Sequence, residues 1–233
     1  MTQTLETPSP TSRLADARTT RIGAGLGVAS IVLIATGFAV AAATETTIAS
    51  SPDEVAAFYT GAGLARTLTG GLIETLGLVL FLPFAAMLTS RVREPGLSGE
   101  LLAPTARMAA TVYVGICLAP GMSAGAAALW LAHHGTADPA IIAALNDLRA
   151  LSYFVALVAF ALFLAAVGYA GSVTRRLPRW AATAAMVLGV ALAASVPFAG
   201  YDAADLVALL GLVWVLAASV TLLRHPVPSS TSE

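Results

Sequence analysis

In a chain this apolar, chemistry has to be sought at the few residues that can ionise, move a proton or open a helix. Glu74 comes first, because it lies in the apolar run from Thr67 to Thr89 with no other charge beside it. Arg66 stands eight residues earlier, which places Glu74 about 12 Å further along a helix. An acid at such depth normally faces the bundle interior and marks an ion path, a proton path or a polar substrate site. The competing account is a neutral Glu74 held by Ser or Thr hydroxyls of a neighbouring helix. Charged, it would cost on the order of 2.5 to 3.5 kcal/mol, so it should be neutral or matched by an arginine. Arg66 is too far along the axis for direct contact, and Arg149 on another helix is the better candidate. Tyr153 follows Arg149 by four residues and shares its helical face. With Asp202 and Asp205 at the mouth, these six residues describe a candidate polar cleft open at one end of a bundle.

The second chemical signal is Pro120-Gly121. Inside a helix the proline takes away the amide that would serve the carbonyl of Ile116, which must then find another partner or line a cavity. Cys117 and Pro120 fall near the depth of Glu74. A simple structural kink explains the same pair. His133 and His134 are adjacent, hence about 100° apart on a helix, and His225 belongs to the opposite end. Neither haem nor a structural metal is expected from them, and no cofactor is. The lone Cys117 closes no intrachain disulfide and builds no Cys-based metal site. No His-Glu-x-x-His pair, Gly-x-Ser-x-Gly elbow, phosphate-binding glycine loop or lysine for a Schiff base occurs.

The elements that must position these residues follow from composition. Of 233 residues 11% are charged and 58% apolar, with mean hydropathy +0.83, against about 25% charged in soluble domains. That excludes a water-soluble globular domain and a disordered chain. The twelve basic residues are all arginine and balance thirteen acids, with no long basic run for nucleic acid. An all-α polytopic membrane bundle remains. A bilayer core of about 30 Å needs roughly 20 apolar residues per helix. Six such stretches occur: Ile22–Ala43, Thr67–Thr89, Met108–Leu131, Ala150–Thr174, Trp180–Ala199 and Leu206–Leu223. The expected domains are a tail over 1–20, a six-helix transmembrane domain over 21–225, and a second tail over 226–233.

Charge placement orients the bundle. Ten arginines lie at one end: Arg13, Arg18, Arg21, Arg91, Arg93, Arg107, Arg175, Arg176, Arg179 and Arg224. Only Arg66 and Arg149 lie at the other, with Glu45, Asp53, Glu54, Asp138, Asp147, Asp202 and Asp205. The positive-inside bias then puts both termini in the cytoplasm. The first apolar run, about 22 residues, exceeds a signal-peptide core of roughly 7 to 15 and reads as an uncleaved anchor.

Two connections at the acidic end share helix-start chemistry. Ser51-Pro52-Asp53-Glu54 has cap, proline and return acid; Asp138-Pro139 repeats cap and proline. The second helix should run on through Asn146 into span four. The alternation suggests three helical hairpins in series, although the positive-inside bias and cap chemistry alone would give the same look. Gly23-x-x-x-Gly27 and Gly121-x-x-x-Gly125 predict close backbone approach. Trp130 and Trp180 suit the interfaces, whereas Trp214, mid-span, should pack inside.

The segment Ser51-Pro52-Asp53-Glu54-Val55-Ala56-Ala57-Phe58-Tyr59, then Arg66 and the run Leu80-Phe81-Leu82-Pro83-Phe84 to Arg91, resembles small bacterial six-span proteins of the domain-of-unknown-function type. The resemblance covers about half the chain and implies a bacterial inner-membrane protein, with no activity or site to carry over. Function is therefore open between a non-enzymatic membrane subunit or scaffold, with a membrane-protein partner or a second copy of itself, and a small transporter or channel using a cleft around Glu74. An enzyme is the least supported. A dry, filled core would favour the subunit.

Overall fold

The computed structural model describes residues 10–41, 50–61, 63–135, 138–198 and 200–226. Eight α-helices appear among them: α1 (Pro10–Ala41), α2 (Pro52–Gly61), α3 (Leu64–Arg91), α4 (Ala103–Ile116), α5 (Ser123–His134), α6 (Pro139–Thr174), α7 (Arg179–Phe198) and α8 (Gly200–Arg224). Two π-helical turns, Ser98–Leu102 and Cys117–Met122, join onto α4 and fuse it to α5, so that 98–134 is one continuous rod. Six helical stretches are long and apolar enough to cross a membrane, and each overlaps one of the six sequence runs. The protein is a multi-pass helical bundle.

The spans follow one another around a closed ring: α3 packs on α4, α4 on α6, α6 on α7, α7 on α8, and α8 back on α1, which lies along α3. Span four is the most buried of the six and also touches α2, α5 and α8. Each pair expected as a hairpin packs together, α1 on α3, α4 and α5 on α6, and α7 on α8, and α6 packs extensively on α7 as well. In the middle of the ring Phe81, Phe84, Phe160 and Phe163 are all fully buried. Phe81 meets Phe163 edge-on at 5.3 Å, and Tyr113 stacks on Phe160 at 4.9 Å between centroids. This aromatic floor, filled by apolar side chains, divides the bundle into two ends.

Several local expectations change. α1 starts at Pro10, so Pro10–Thr20, expected as tail, is helical. Proline suits the first helical position and the Ala, Leu and Arg that follow contain no breaker. Met1–Ser9 and 227–233, the rest of the expected tails, lie outside the described residues. The closest α1–α3 backbone approach is not at Gly23 and Gly27, which receive the side chains of Met87 and Phe84. It is at Gly37 and Gly70, where a Cβ on Gly37 would lie 2.6 Å from both the Gly70 carbonyl oxygen and the Glu74 amide nitrogen. Trp214 is buried, its indole N–H donating to the Ala181 carbonyl at 2.8 Å, while Trp130 and Trp180 are exposed.

Candidate functional site

At the acidic end, α2 lies across α5 and α6. Its start is a complete capping box: the Ser51 amide donates to Glu54 Oε2 at 2.8 Å, and the Glu54 amide to Ser51 Oγ at 3.4 Å. Hydrogen bonding from Ser51, its backbone amide first and its side chain second, holds the exposed Glu54 carboxyl below its ordinary range. Asp138 caps α6 in the same way, accepting from the Ala140 amide at 2.9 Å, and α6 then runs unbroken to Thr174. Val55 and Tyr59 are buried on the face that α2 turns to Leu129 and Ile142. Below them, the Tyr59 hydroxyl donates to Asn146 Oδ1 at 3.2 Å, with Asn146 fully buried. Burial raises the Tyr59 phenol above its ordinary value, while the charge and hydrogen bonding of Arg149 act the other way.

Arg149 is one turn further along α6 than Asn146. Its stem fits a recess that only glycine leaves open, because a Cβ on Gly125 of α5 would stand 2.9 Å from Arg149 Cδ. Thus Gly125 admits an arginine, not a neighbouring backbone as the Gly-x-x-x-Gly spacing suggested. Its buried Nε has no hydrogen-bond partner among the described residues. Electrostatic interactions join Arg149 to Glu74 of α3, and Glu74 in turn to Cys117 and Tyr113. Glu74 and Arg149 do not close to ion-pair distance; among the described residues that distance is reached by Arg176 and Glu94.

Pro120 builds one wall of this centre. Over Cys117–Met122 the backbone winds as a π-helix, in which each carbonyl takes the amide five residues on, so Gly121 serves Ile116 in place of the missing proline donor. Ser123 Oγ also donates to the Leu118 carbonyl at 3.2 Å. The proline is absorbed by the wide turn and leaves no orphan carbonyl. Its chemical consequence is placement: the turn carries Cys117 beside Tyr113 and toward Glu74.

Of the six residues expected in the cleft, Glu74 and Arg149 come together, and Tyr153 interacts with Tyr113 of the same group. Tyr153 is 38% exposed and sits edge-on to Phe154. Arg66 does not join: it is exposed and its Nε donates to the Val40 carbonyl at 2.7 Å, serving the C-terminal end of α1. Asp205 lies on α8, which packs on α1, α7 and the side of α6, not on α2 or α5. Asp202 is on the same helix and its side chain lies outside the described residues. Tyr59, Asn146 and Tyr113 are the members that the sequence reading missed, while Cys117, counted near the depth of Glu74, was left out of the cleft. His133 and His134 turn back to their own helix through contacts at 3.0 and 2.8 Å to the carbonyls of Leu129 and Trp130. No group of three metal-ligating side chains occurs among the described residues.

Two surface depressions lie elsewhere. One, of about 360 Å³, is an apolar groove on the perimeter between Val112, Ile116 and the α6 face from Phe154 to Leu162. The other, of about 170 Å³, lies at the arginine-rich end. No family model, curated protein or solved structure matches the chain.

Proposed function

We propose that this multi-pass membrane protein is a non-enzymatic subunit that associates within the bilayer through the outer face of its third span. The observation that carries this reading is a row of small residues at four-residue spacing, Thr111, Gly115, Ala119 and Ser123, all exposed on the perimeter. A Cβ on Gly115 would meet nothing within 4 Å. Small residues in such a row allow a second transmembrane helix to come close, where packing and hydroxyl hydrogen bonds act without a hydrophobic drive. The π-turn at Cys117–Met122 belongs to this span. The filled aromatic floor supports a subunit over a conduit.

The test is a photo-crosslinking amino acid at Gly115, a position open enough to accept one, in native membranes. A discrete protein adduct that weakens with Ala119→Leu is expected. Adducts with lipid alone would overturn the reading. A second reading, a small transporter with an outward cleft, is favoured by the Glu74 and Arg149 centre. It requires solute flux in proteoliposomes that both Glu74→Gln and Glu74→Leu abolish. The ten-to-two arginine asymmetry supports a cytoplasmic arginine-rich end, and the resemblance to bacterial six-span proteins supports a bacterial plasma membrane. Reporter fusions after Ser98 and Gly135 should then report opposite sides, with Ser98 inside.

A further inference from the structure

The arginine-rich end holds two kinds of arginine. Arg91 and Arg176 are tied to the protein: Arg91 Nη1 donates to the Pro226 carbonyl at 2.7 Å and its Nε to the Arg176 carbonyl at 3.2 Å, while Arg176 Nε pairs with Glu94 Oε1 at 2.8 Å. Arg93 and Arg107 are exposed, and neither guanidinium has a hydrogen bond or ion pair among the described residues. The apolar stems of these two line the same depression of about 170 Å³, between the end of α3 and the start of α4, with Thr89, Ala103, Pro104 and Met108 as its remaining walls. That space is worth several waters at about 30 Å³ each. Its wall residue Met108 is 68% exposed, and Leu97 and Leu101, in the segment that joins α3 to α4, are each 56% exposed. A pair of unmatched cations at the end of two spans, set over exposed Leu and Met side chains, has the layout of one amphiphile: an anionic head and an apolar tail.

We propose that Arg93 and Arg107 form a binding site for the phosphate of an anionic phospholipid headgroup, with the acyl portion lying along Met108. An arginine guanidinium can bind phosphate through paired N–H donors. A zwitterionic lipid offers the same phosphate but adds an ammonium that the two arginines repel. The phosphate chemistry could equally come from free inorganic phosphate, and the exposed Leu97, Leu101 and Met108 are what favour the lipid. This site is separate from the small-residue face of span three and goes beyond the subunit reading; loss of either leaves the other standing.

The test uses the full chain in nanodiscs of phosphatidylcholine doped with phosphatidylglycerol of the same acyl chains, read by lipid retention in native mass spectrometry and by thermal stability. Phosphatidylglycerol should be retained and should raise the melting temperature, and inorganic phosphate should do neither. Each of Arg93→Gln and Arg107→Gln should weaken retention about fivefold, from about 1 kcal/mol per basic residue near an anionic surface. Arg179→Gln, at the same end but outside the depression, should leave it unchanged. Neither test substitution removes a hydrogen bond or ion pair of the described fold, and circular dichroism checks that each variant is intact. Equal retention of phosphatidylcholine, unchanged retention in the double variant, or an equal loss in Arg179→Gln would overturn the proposal. Full stabilisation by inorganic phosphate alone would make the site one for a free anion and defeat the lipid assignment.

Discussion

The two ends of the bundle treat arginine in opposite ways. At the arginine-rich end, Arg91 is spent on the carbonyls of Arg176 and Pro226 and on the Thr20 hydroxyl, binding α1, α3, the turn after α6 and the tip of α8 into one corner. At the acidic end, Arg149 is drawn in among tyrosines, an asparagine and a glutamate, with a glycine cut away to admit it and its Nε unmet by the described residues. A cation at a helix end can reach the interfacial water by extending its stem. One held between helices cannot, and must be answered by the protein. The first arrangement closes a fold; the second leaves a charge in a place where a ligand can meet it.

The contrast can be broken at the floor that separates the two ends. Phe160→Ala removes a fully buried ring that meets Phe81, Tyr113 and Phe163. It should cost about 3 to 5 kcal/mol in a reversible membrane-unfolding assay. A loss under 1 kcal/mol would mean that the floor is loosely packed and that the ends communicate.

The next effect tests whether the acidic-end charges act together. Glu74→Gln should destabilise by about 1 to 3 kcal/mol, because Arg149 keeps its charge with less to answer it. Combining it with Arg149→Leu should recover much of that loss, giving a coupling energy above about 0.5 kcal/mol in a double-mutant cycle. Additive losses would show two independent residues and dissolve the centre.

A smaller change is expected from Tyr59→Phe, which deletes the hydroxyl that donates to Asn146. About 1 kcal/mol should go, and amide exchange should quicken in α2 ahead of α6. If α2 is unaffected, its buried Val55 alone holds it.

The smallest effect is one of pH. The Glu54 carboxyl is held low by Ser51, so its contribution is complete above the ordinary carboxylate value and fades as the pH falls through the lowered one. Acidification below the usual carboxylate range should fray the first turn of α2, seen in hydrogen exchange at Val55 and Ala56. Ser51→Ala should fray it at neutral pH and weaken the pH response without abolishing it, because the backbone amide at position 51 still donates to the Glu54 carboxylate.

Much of the architecture was legible because the membrane imposes a vertical ruler. Apolar run length located the six spans, arginine placement sorted the two ends, and Asp138-Pro139 announced the start of α6. Depth along a helix can be counted residue by residue, and it put Glu74 and Cys117 at one level and Arg149 nearer the mouth. Direction around a helix and order around the ring cannot be counted that way. Asp205 belongs to the same mouth but stands on α8, while Tyr113 and Cys117 reach the centre from the helix beside α3. The role of Gly125 was hidden for the same reason: its spacing from Gly121 says that something comes close, not that an arginine does. Pro120 was visible as a break, yet its repair by a wide turn depends on how neighbouring helices pack.

The unbroken course of α6 has a mechanical consequence. Its 36 residues, with no proline after Pro139, measure about 54 Å, and even at a steep 40° tilt the rod covers about 41 Å of a hydrocarbon layer about 30 Å thick. About 11 Å must therefore stand clear of the hydrocarbon. The Asp138-capped end, where α2 leans on it, is the end with the charged and amide side chains Asn146, Asp147 and Arg149. With no hinge in between, a pull or twist applied to α2 from outside reaches the aromatic floor as movement of a stiff lever.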